Sequence, residues 1–508
     1  MLKKIKTFSS IQAIEKAVET ERSLLFESLW DGPKAVLSLL LLKHLKKNIL
    51  IITGGERETR LYDDLTFFSE KDVLSFPAWE TLPGEEIIPS ADIIGKRFEI
   101  LNTLLKDSHP QIILTPLQGV LQKVCHPETL KNKQMTIKKG DEIPFDLLPE
   151  MLVDLGYVRT SIAADKGEFA IRGGIVDIFP LSSFNPFRID FFDDEVDQIR
   201  TFDPISQKSI GKVEEIFIPP AAEHTLLTEE KRLATLLDYL GENTVIIFDD
   251  LLAIEDRYVA LKDLPGACGP YFLSFSEFFK LSEKLQQIYC TKHPLESLTD
   301  TEGSEKIGRD FYSGKNPLQP VKFEIFDQKI ETKRMQHAFR TIKDYFWEEV
   351  DEDKRLEAIL KESKDLSVIF IAASEAEEKA FKEKIDQTLL PLPKQREFKR
   401  GYLSSGFVLL DGPFVLLPYP ELTKRYKVSR QKWRNTYHTP AAEFHALEKG
   451  DLVVHFHNGI GKFCGIEKQK NHRGEEEEFL LIEYANSGKL YVPLSQSHLI
   501  SRYIGTKD

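Results

Sequence analysis

Four short apolar runs rich in β-branched residues punctuate the chain, at Asn48 to Thr53, Gln111 to Thr115, Val245 to Phe248 and Val368 to Ala372. Unbroken apolarity bounded by turn formers or amphipathic stretches predicts parallel strands covered by helices on both faces, and so α/β layers. Between the second and third runs the texture changes. From Tyr157 to Phe202, short alternating segments separated by Gly-Gly and Asp-Asp predict an antiparallel insert. From Gln328 to about Lys364 the strongly charged pattern predicts helix, a solvated connector into another α/β unit that ends near Pro418. Thr423 to Arg434 gathers Lys424, Arg425, Lys427, Arg430, Lys432 and Arg434, the composition of a flexible basic linker. Glu448 to Ile504 then predicts four or five short strands with glycine turns, the size of a small barrel.

At roughly 150 residues per domain, 508 residues make three or four domains. With 41% hydrophobic residues, 34 Phe and 15 Tyr, the chain can fill several cores, which excludes wholesale disorder. The longest nearly unbroken apolar stretch, Ala35 to Leu42, falls far short of the roughly 20 residues that span a bilayer. The N-terminus, Met-Leu-Lys-Lys-Ile-Lys, leads into polar residues without an apolar signal region. These features predict a soluble, cytoplasmic protein with no membrane partner. Cys125, Cys268, Cys290 and Cys464 are scattered, as expected of reduced thiols rather than a disulfide framework or a zinc knuckle. A net charge of −13 argues against non-specific coating of nucleic acid, so any DNA contact is regional.

Phosphate-cleaving motors need a glycine loop whose amides wrap the phosphates, a Lys on the outer phosphates and a Ser or Thr hydroxyl on magnesium. No Gly-x4-Gly-Lys-Ser/Thr occurs; Gly303 to Gly308 continues into Arg309 and Asp310. Ser28-Leu-Trp-Asp-Gly-Pro-Lys34-Ala35 follows an apolar segment and is placed to open a helix as a phosphate loop does, but Pro33 lacks an N–H and Ala35 a hydroxyl. Val245-Ile-Ile-Phe-Asp249-Asp250 has the form of a magnesium-supporting strand end. Without a working loop, capping of the next element is the stronger reading, and no residue is assigned as catalytic. His455 and His457 lack an acidic or thiolate cluster, so no metal site is expected.

In Gly167-Glu-Phe-Ala-Ile-Arg-Gly-Gly-Ile-Val-Asp-Ile-Phe-Pro180, Gly173 and Gly174 can take the positive dihedrals of a two-residue turn joining Glu168–Arg172 to Ile175–Phe179. On the next strand, Phe187, Ile189 and Phe191 share one face, and Arg188, Asp190 and Phe192 the other. If Arg172 projects to the second face, two guanidiniums flank an exposed Phe, the composition of a protein-binding hot spot. Pattern alone favours the alternative, with Phe192 packed under a loop and the arginines solvated. Near the C-terminus, Ile466 to Lys470 is expected to be an edge strand, followed by an exposed acidic loop from Asn471 to Glu478. It is open to a partner strand or blunted by Lys468 and Lys470, and the pattern does not choose.

These residues resemble the N-terminal half of the bacterial transcription-repair coupling factor family. The resemblance rests on Phe76-Pro-Ala-Trp-Glu-Thr-Leu-Pro83, Asp92-Ile-Ile through Arg97, the Gly167 to Pro180 hairpin, Arg188-Ile-Asp-Phe-Phe-Asp-Asp-Glu195, and Gly450-Asp-Leu-Val-Val-His455 with Gly459-Ile-Gly-Lys-Phe. The hairpin block is also similar to the UvrA-binding domain of UvrB, and the final segment to CarD-type polymerase-binding modules.

The resemblance implies a multidomain α/β chain. A UvrB-like α/β module over 1–125 and 213–325 is interrupted by an antiparallel α+β UvrA-binding insert over 126–212. A second α/β domain with a helical lead-in covers 326–422, a basic linker 423–446, and a small SH3/CarD-like β-barrel that binds RNA polymerase 447–508. It assigns UvrA binding to Arg172, Arg188 and Phe192. It assigns docking on the polymerase β subunit to the edge strand, here Ile466, Lys468, Gln469 and Lys470, with Gln469 standing where an apolar residue, commonly Leu, is usual. It makes Pro33, Lys34 and Ala35 a degenerate nucleotide loop. In the family, ATP, magnesium and contact with double-stranded DNA upstream of polymerase belong to motor lobes beyond the barrel, and a final domain masks the UvrA surface; this chain stops at Asp508. The expectation is an adaptor in transcription-coupled nucleotide excision repair that holds no cofactor and does not hydrolyse ATP. Its rivals are an ATP-dependent DNA translocase in its own right and a polymerase-binding transcription regulator.

Overall fold

Alternate residues of each central strand feed two different apolar clusters. Leu50, Ile52, Ile113, Ile246 and Phe248 join one, while Ile49, Ile51, Ile112, Val245 and Ile247 join the other. A strand buried this way on both faces needs helices above and below it. The computed structural model describes residues 2–54, 58–79, 89–204, 206–229, 232–264, 267, 269–295, 318–342, 352–363, 366–387, 392–393, 395–412, 414–423, 449–455, 459–470, 476–484, 488–493 and 500–502. Its largest sheet has eight strands, in the order Leu318–Ile325, Gln328–Met335, Ser23–Phe26, Gln286–Cys290, Thr244–Phe248, Asn48–Thr53, Ile112–Pro116 and Leu74–Ser75. All neighbours are parallel except the first pair, a hairpin at the edge. Helices Ser9–Thr20, Asp31–Leu45 and Glu58–Phe68 contribute to one cluster, and Ala91–Lys106, Leu251–Lys262 and Phe275–Ser282 to the other.

The hairpin strand Gln328–Met335 corrects the helical reading of that stretch; within it, helix occupies Glu352–Ser363. Its charges alternate with Ile330 and Thr332, which are buried, while Lys329 and Glu331 face out. Dense charge on an edge strand has a period of two, which pairs such as Lys322–Glu331 satisfy across the hairpin.

The insert is a six-stranded sheet in the order Ser209–Val213, Glu195–Phe202, Phe187–Phe192, Ile175–Ile178, Glu168–Arg172 and Val158–Arg159. Its apolar face, with Phe169, Val176, Ile178, Ile189 and Ile199, is continuous with one of the clusters of the large sheet. The join is a buried ion pair. Arg97 Nε donates to both carboxylate oxygens of Glu223 (3.1 and 2.9 Å), Trp79 Nε1 donates to the same carboxylate (2.8 Å), and the guanidinium lies 4.5 Å from the Phe76 ring centroid.

A five-stranded sheet follows, ordered Phe339–Arg340, Phe407–Leu409, Phe414–Pro418, Ser367–Ala372 and Gln395–Arg400. Its Phe339, Phe407 and Leu416 belong to the second cluster of the large sheet, so the two α/β units share apolar packing. His337 sits at this junction. Its Nε2 donates to the Glu27 carbonyl (2.7 Å) and its buried Nδ1 has no hydrogen-bond partner among the described residues, while Arg334 holds the Glu27 carboxylate at 2.6 Å. Burial, aided by the charge of Arg340, lowers the imidazole pKa from 6.5 to about 4. The unfolded chain therefore binds a proton in that window that the native chain does not. Stability is expected to fall as pH drops from about 6.5 toward 4, and His337→Gln flattens that part of the profile in urea midpoints measured across it.

The last unit is an antiparallel sheet ordered Lys489–Pro493, Glu476–Glu483, Gly459–Lys470, Leu452–His455 and Ile500–Arg502, around Val453, Phe463, Leu480, Ile482 and Val492. Glu476 to Glu478, expected in a loop, are paired as strand with Lys470 to Lys468. The ladder with the Gly459–Lys470 strand runs on through them rather than stopping at Phe479. The proposed basic linker from Lys424, together with Cys268 and His457, lies outside the described residues. Among the described residues, no helix is long and apolar enough to cross a membrane.

Candidate protein-docking surface and the nucleotide loop

The hairpin forms as its sequence predicts, with Arg172 opposite Ile175 across Gly173-Gly174. Gly173 alone has a positive φ (60°), so the turn is of the II′ rather than the I′ form. This register places Asp177 opposite Arg188 on the neighbouring strand. Arg188 Nε and Nη2 donate to the two carboxylate oxygens of Asp177, both at 2.7 Å, and Nη2 also donates to Gln207 Oε1 (3.2 Å). The guanidinium stacks 4.6 Å from the buried Phe202 ring centroid. Arg172 Nη2 reaches the same carboxylate at 3.5 Å. On the strand next to that of Arg188, Arg200 Nη2 donates to both carboxylate oxygens of Asp190 (2.9 and 2.7 Å).

Two readings from pattern alone are therefore corrected. Phe192 is 74% exposed and packs under no loop, because it ends its strand just before the Asp193-Asp194 turn, where Asp193 is left-handed (φ 53°). Arg188 is not solvated; its side chain is 17% exposed, and Asp177 takes its fork. Arg172 remains half exposed. Asp177 was not singled out from sequence, although drawing the register of Ile175–Ile178 against Phe187–Phe192 would have found it.

In the C-terminal sheet, Ile466 is exposed on the Gly459–Lys470 strand. Leu452–His455 pairs with this strand only from Gly459 to Lys462, whereas Glu476–Glu483 pairs with it as far as Lys470. Among the described residues, Ile466, Lys468, Gln469 and Lys470 thus have a ladder on one side. Cys464 is an extra residue in that ladder, a bulge where the strand changes neighbours. The Arg188 face and this strand belong to separate sheets.

The nucleotide-loop segment opens the helix Asp31–Leu45, as expected. Lys34 is buried. Its ammonium donates to the Asp249 carboxylate and to the Asp249 carbonyl (3.2 Å), with Asp31 3.5 Å away. Burial pulls its pKa down, but the two carboxylates reverse this and hold it above the ordinary lysine value. The loop is also covered from the second α/β unit. Gly32 N–H donates to Ser405 Oγ (3.1 Å), Trp30 Nε1 donates to the Gly406 carbonyl (3.1 Å), and the buried Asp64 accepts from Ser404 N (2.6 Å) and Oγ (2.7 Å). A Cβ on Gly32 would lie 2.3 Å from the Ser405 carbonyl oxygen, so only glycine allows this approach. Contacts across 340 or more positions left no signal in the sequence.

A family model described as the UvrB interaction domain matches residues 135–224, and one described as the CarD-like/TRCF RID domain matches residues 447–504. This chain is similar along nearly its whole length to transcription-repair-coupling factors. It is 28% identical to that of Escherichia coli (strain K12) over 91% of the chain, 27% identical to that of Haemophilus influenzae over 90%, and 26% identical to that of Bacillus subtilis (strain 168) over 95%. It spans 43–45% of the length of these coupling factors. The exposed Phe192 and the Arg172 and Arg188 guanidiniums lie within the UvrB interaction match, and the half-paired strand lies within the CarD-like match.

Proposed function

We propose that this chain is the adaptor region of a transcription-coupled excision repair factor, binding UvrA through its insert and RNA polymerase through its C-terminal module. The observation that carries this reading is Phe192, 74% exposed on the same strand as Arg188, whose guanidinium is fixed on a buried carboxylate, inside the segment similar to the UvrB interaction domain. An exposed aromatic on a face that also carries ordered arginines is the composition of an interface anchor. Arg172, Arg188 and Phe192 form the UvrA face. Ile466, Lys468, Gln469 and Lys470 form the polymerase face, docking on the β subunit by strand addition to the half-paired strand. In this division, 1–125 and 213–325 are a UvrB-like module around the insert 126–212, 326–422 is a second α/β domain, 423–446 a basic linker, and 447–508 a CarD-like barrel. Pro33, Lys34 and Ala35 are a degenerate nucleotide loop, and these residues do not turn over ATP. The ATP-driven movement on DNA upstream of polymerase, which the resemblance attaches to longer coupling factors, draws on other residues.

The test is equilibrium binding of the immobilised chain to purified UvrA and to RNA polymerase core enzyme. Wild type retains both. Phe192→Ala weakens UvrA binding at least about tenfold and leaves polymerase binding unchanged. Gln469→Leu strengthens polymerase binding alone, because an apolar side chain replaces an amide that must keep hydrogen-bond partners when buried. If wild type does not retain UvrA, or Phe192→Ala retains it equally well, the UvrA assignment is wrong.

A further inference from the structure

On the docking face, the residue that decides the geometry is an acid. Asp177 is 3% exposed, so a partner scarcely touches it. Yet it binds the Arg188 fork through both oxygens and the Arg172 guanidinium through one. Gln207 and the Phe202 ring hold the Arg188 guanidinium from two further sides. The Nε and Nη2 edge of Arg188, the edge that would otherwise grip a partner carboxylate bidentately, is turned inward. Two cations share one anion, so this part of the face keeps a positive charge, and the more exposed of the two guanidiniums is that of Arg172.

We propose that Asp177 is a positioning residue of the docking face. It consumes the Arg188 fork, holds Arg172 on the sheet face that also carries Phe192, and so presents a pre-ordered guanidinium and an aromatic ring to a carboxylate-bearing apolar patch on the partner. The inference rests on the UvrA reading above. Its physical basis is that a long side chain ordered before binding need not be ordered during it.

Asp177→Asn separates positioning from simple charge. The substitution adds one positive charge to the face, so attraction of an acidic partner by net charge alone predicts tighter binding, most of all at low salt. Positioning predicts weaker binding at every salt concentration. UvrA affinity is measured for the full chain with Asp177→Asn alone and in an Arg172→Ala/Arg188→Ala background, with urea unfolding of each variant. The expected result is about tenfold weaker binding in the first case and less than about twofold change in the second, since the residues through which Asp177 acts are gone. Tighter or unchanged binding by Asp177→Asn, or an equal loss in both backgrounds, overturns the proposal. Asp177→Glu, which keeps the charge but shifts the fork outward by one methylene, serves if the Asn variant does not fold; it is expected to weaken binding at least about threefold, and wild-type affinity overturns the proposal. If Phe192→Ala and the double-Ala background bind UvrA like wild type, the UvrA reading itself has failed. If they weaken and Asp177→Asn does not, only the present inference has.

Discussion

Lys34→Met lowers the stability of the first α/β unit by about 3–5 kcal/mol and leaves nucleotide affinity at nothing measurable. Methionine fills the same space, so the change is mainly electrostatic. Asp249 keeps its buried position at the end of the Thr244–Phe248 strand but loses the ammonium that neutralises it, and Asp31 stands close by. Removing one member of a buried pair strands the other, which costs more than the pair itself contributed. Asp249, already pushed upward by burial, would take up a proton, so the loss is smaller in acid than at neutral pH. Urea unfolding at the two pH values measures it, and thermal shifts with and without millimolar magnesium ATP measure the rest. A wild type stabilised by ATP, with that gain lost in Lys34→Met at unchanged basal stability, would establish the translocase reading instead.

Glu223→Gln is expected to be comparably damaging, about 3–5 kcal/mol, at a different joint. Arg97 is fully buried, and among the described residues its cation is answered by the Glu223 carboxylate; Pro77 and Gln122 add neutral oxygens at 2.9 and 3.3 Å. An amide leaves that charge unbalanced. Glu223 lies where the chain returns from the insert, whereas Phe76, Trp79 and Arg97 belong to the α/β unit, so the insert should loosen first. Urea unfolding and limited proteolysis of the insert read this out. The double variant Arg97→Met/Glu223→Leu should recover most of the loss, because no buried charge remains. If the single variant unfolds like wild type, the pair does not hold the junction.

Both sites show what a sequence carries and what it does not. The parallel strands were legible because apolar runs from Asn48 and Val245 have one interpretation when they are this short. The hairpin was legible because Gly-Gly fixes its register within a few residues. The edge strand Gln328–Met335 was not, because dense charge at period two and at helical spacing look alike over eight residues. Phe192 was visible as a candidate but its exposure was not, since burial depends on which loop covers a strand end. Arg188 could be named as a cation, but its partner Asp177 follows only from the pairing of two strands separated by a loop. Lys34 looked like a remnant; that Asp249 had claimed it required knowing that the start of the Asp31–Leu45 helix meets the end of the Thr244–Phe248 strand.

The contact of Ser404, Ser405 and Gly406 with Asp64, Gly32 and Trp30 also bears on mechanics. Tension applied at Thr423 reaches the five-stranded sheet through the short helix Tyr419–Thr423 and the adjoining Phe414–Pro418 strand. From there load passes into the eight-stranded sheet both along the backbone of residues 336–338, which joins Met335 to Phe339, and through these side-by-side hydrogen bonds. A pull from Thr423 is thus shared between that short backbone link and the root of the Asp31–Leu45 helix, on the sheet joined to the insert.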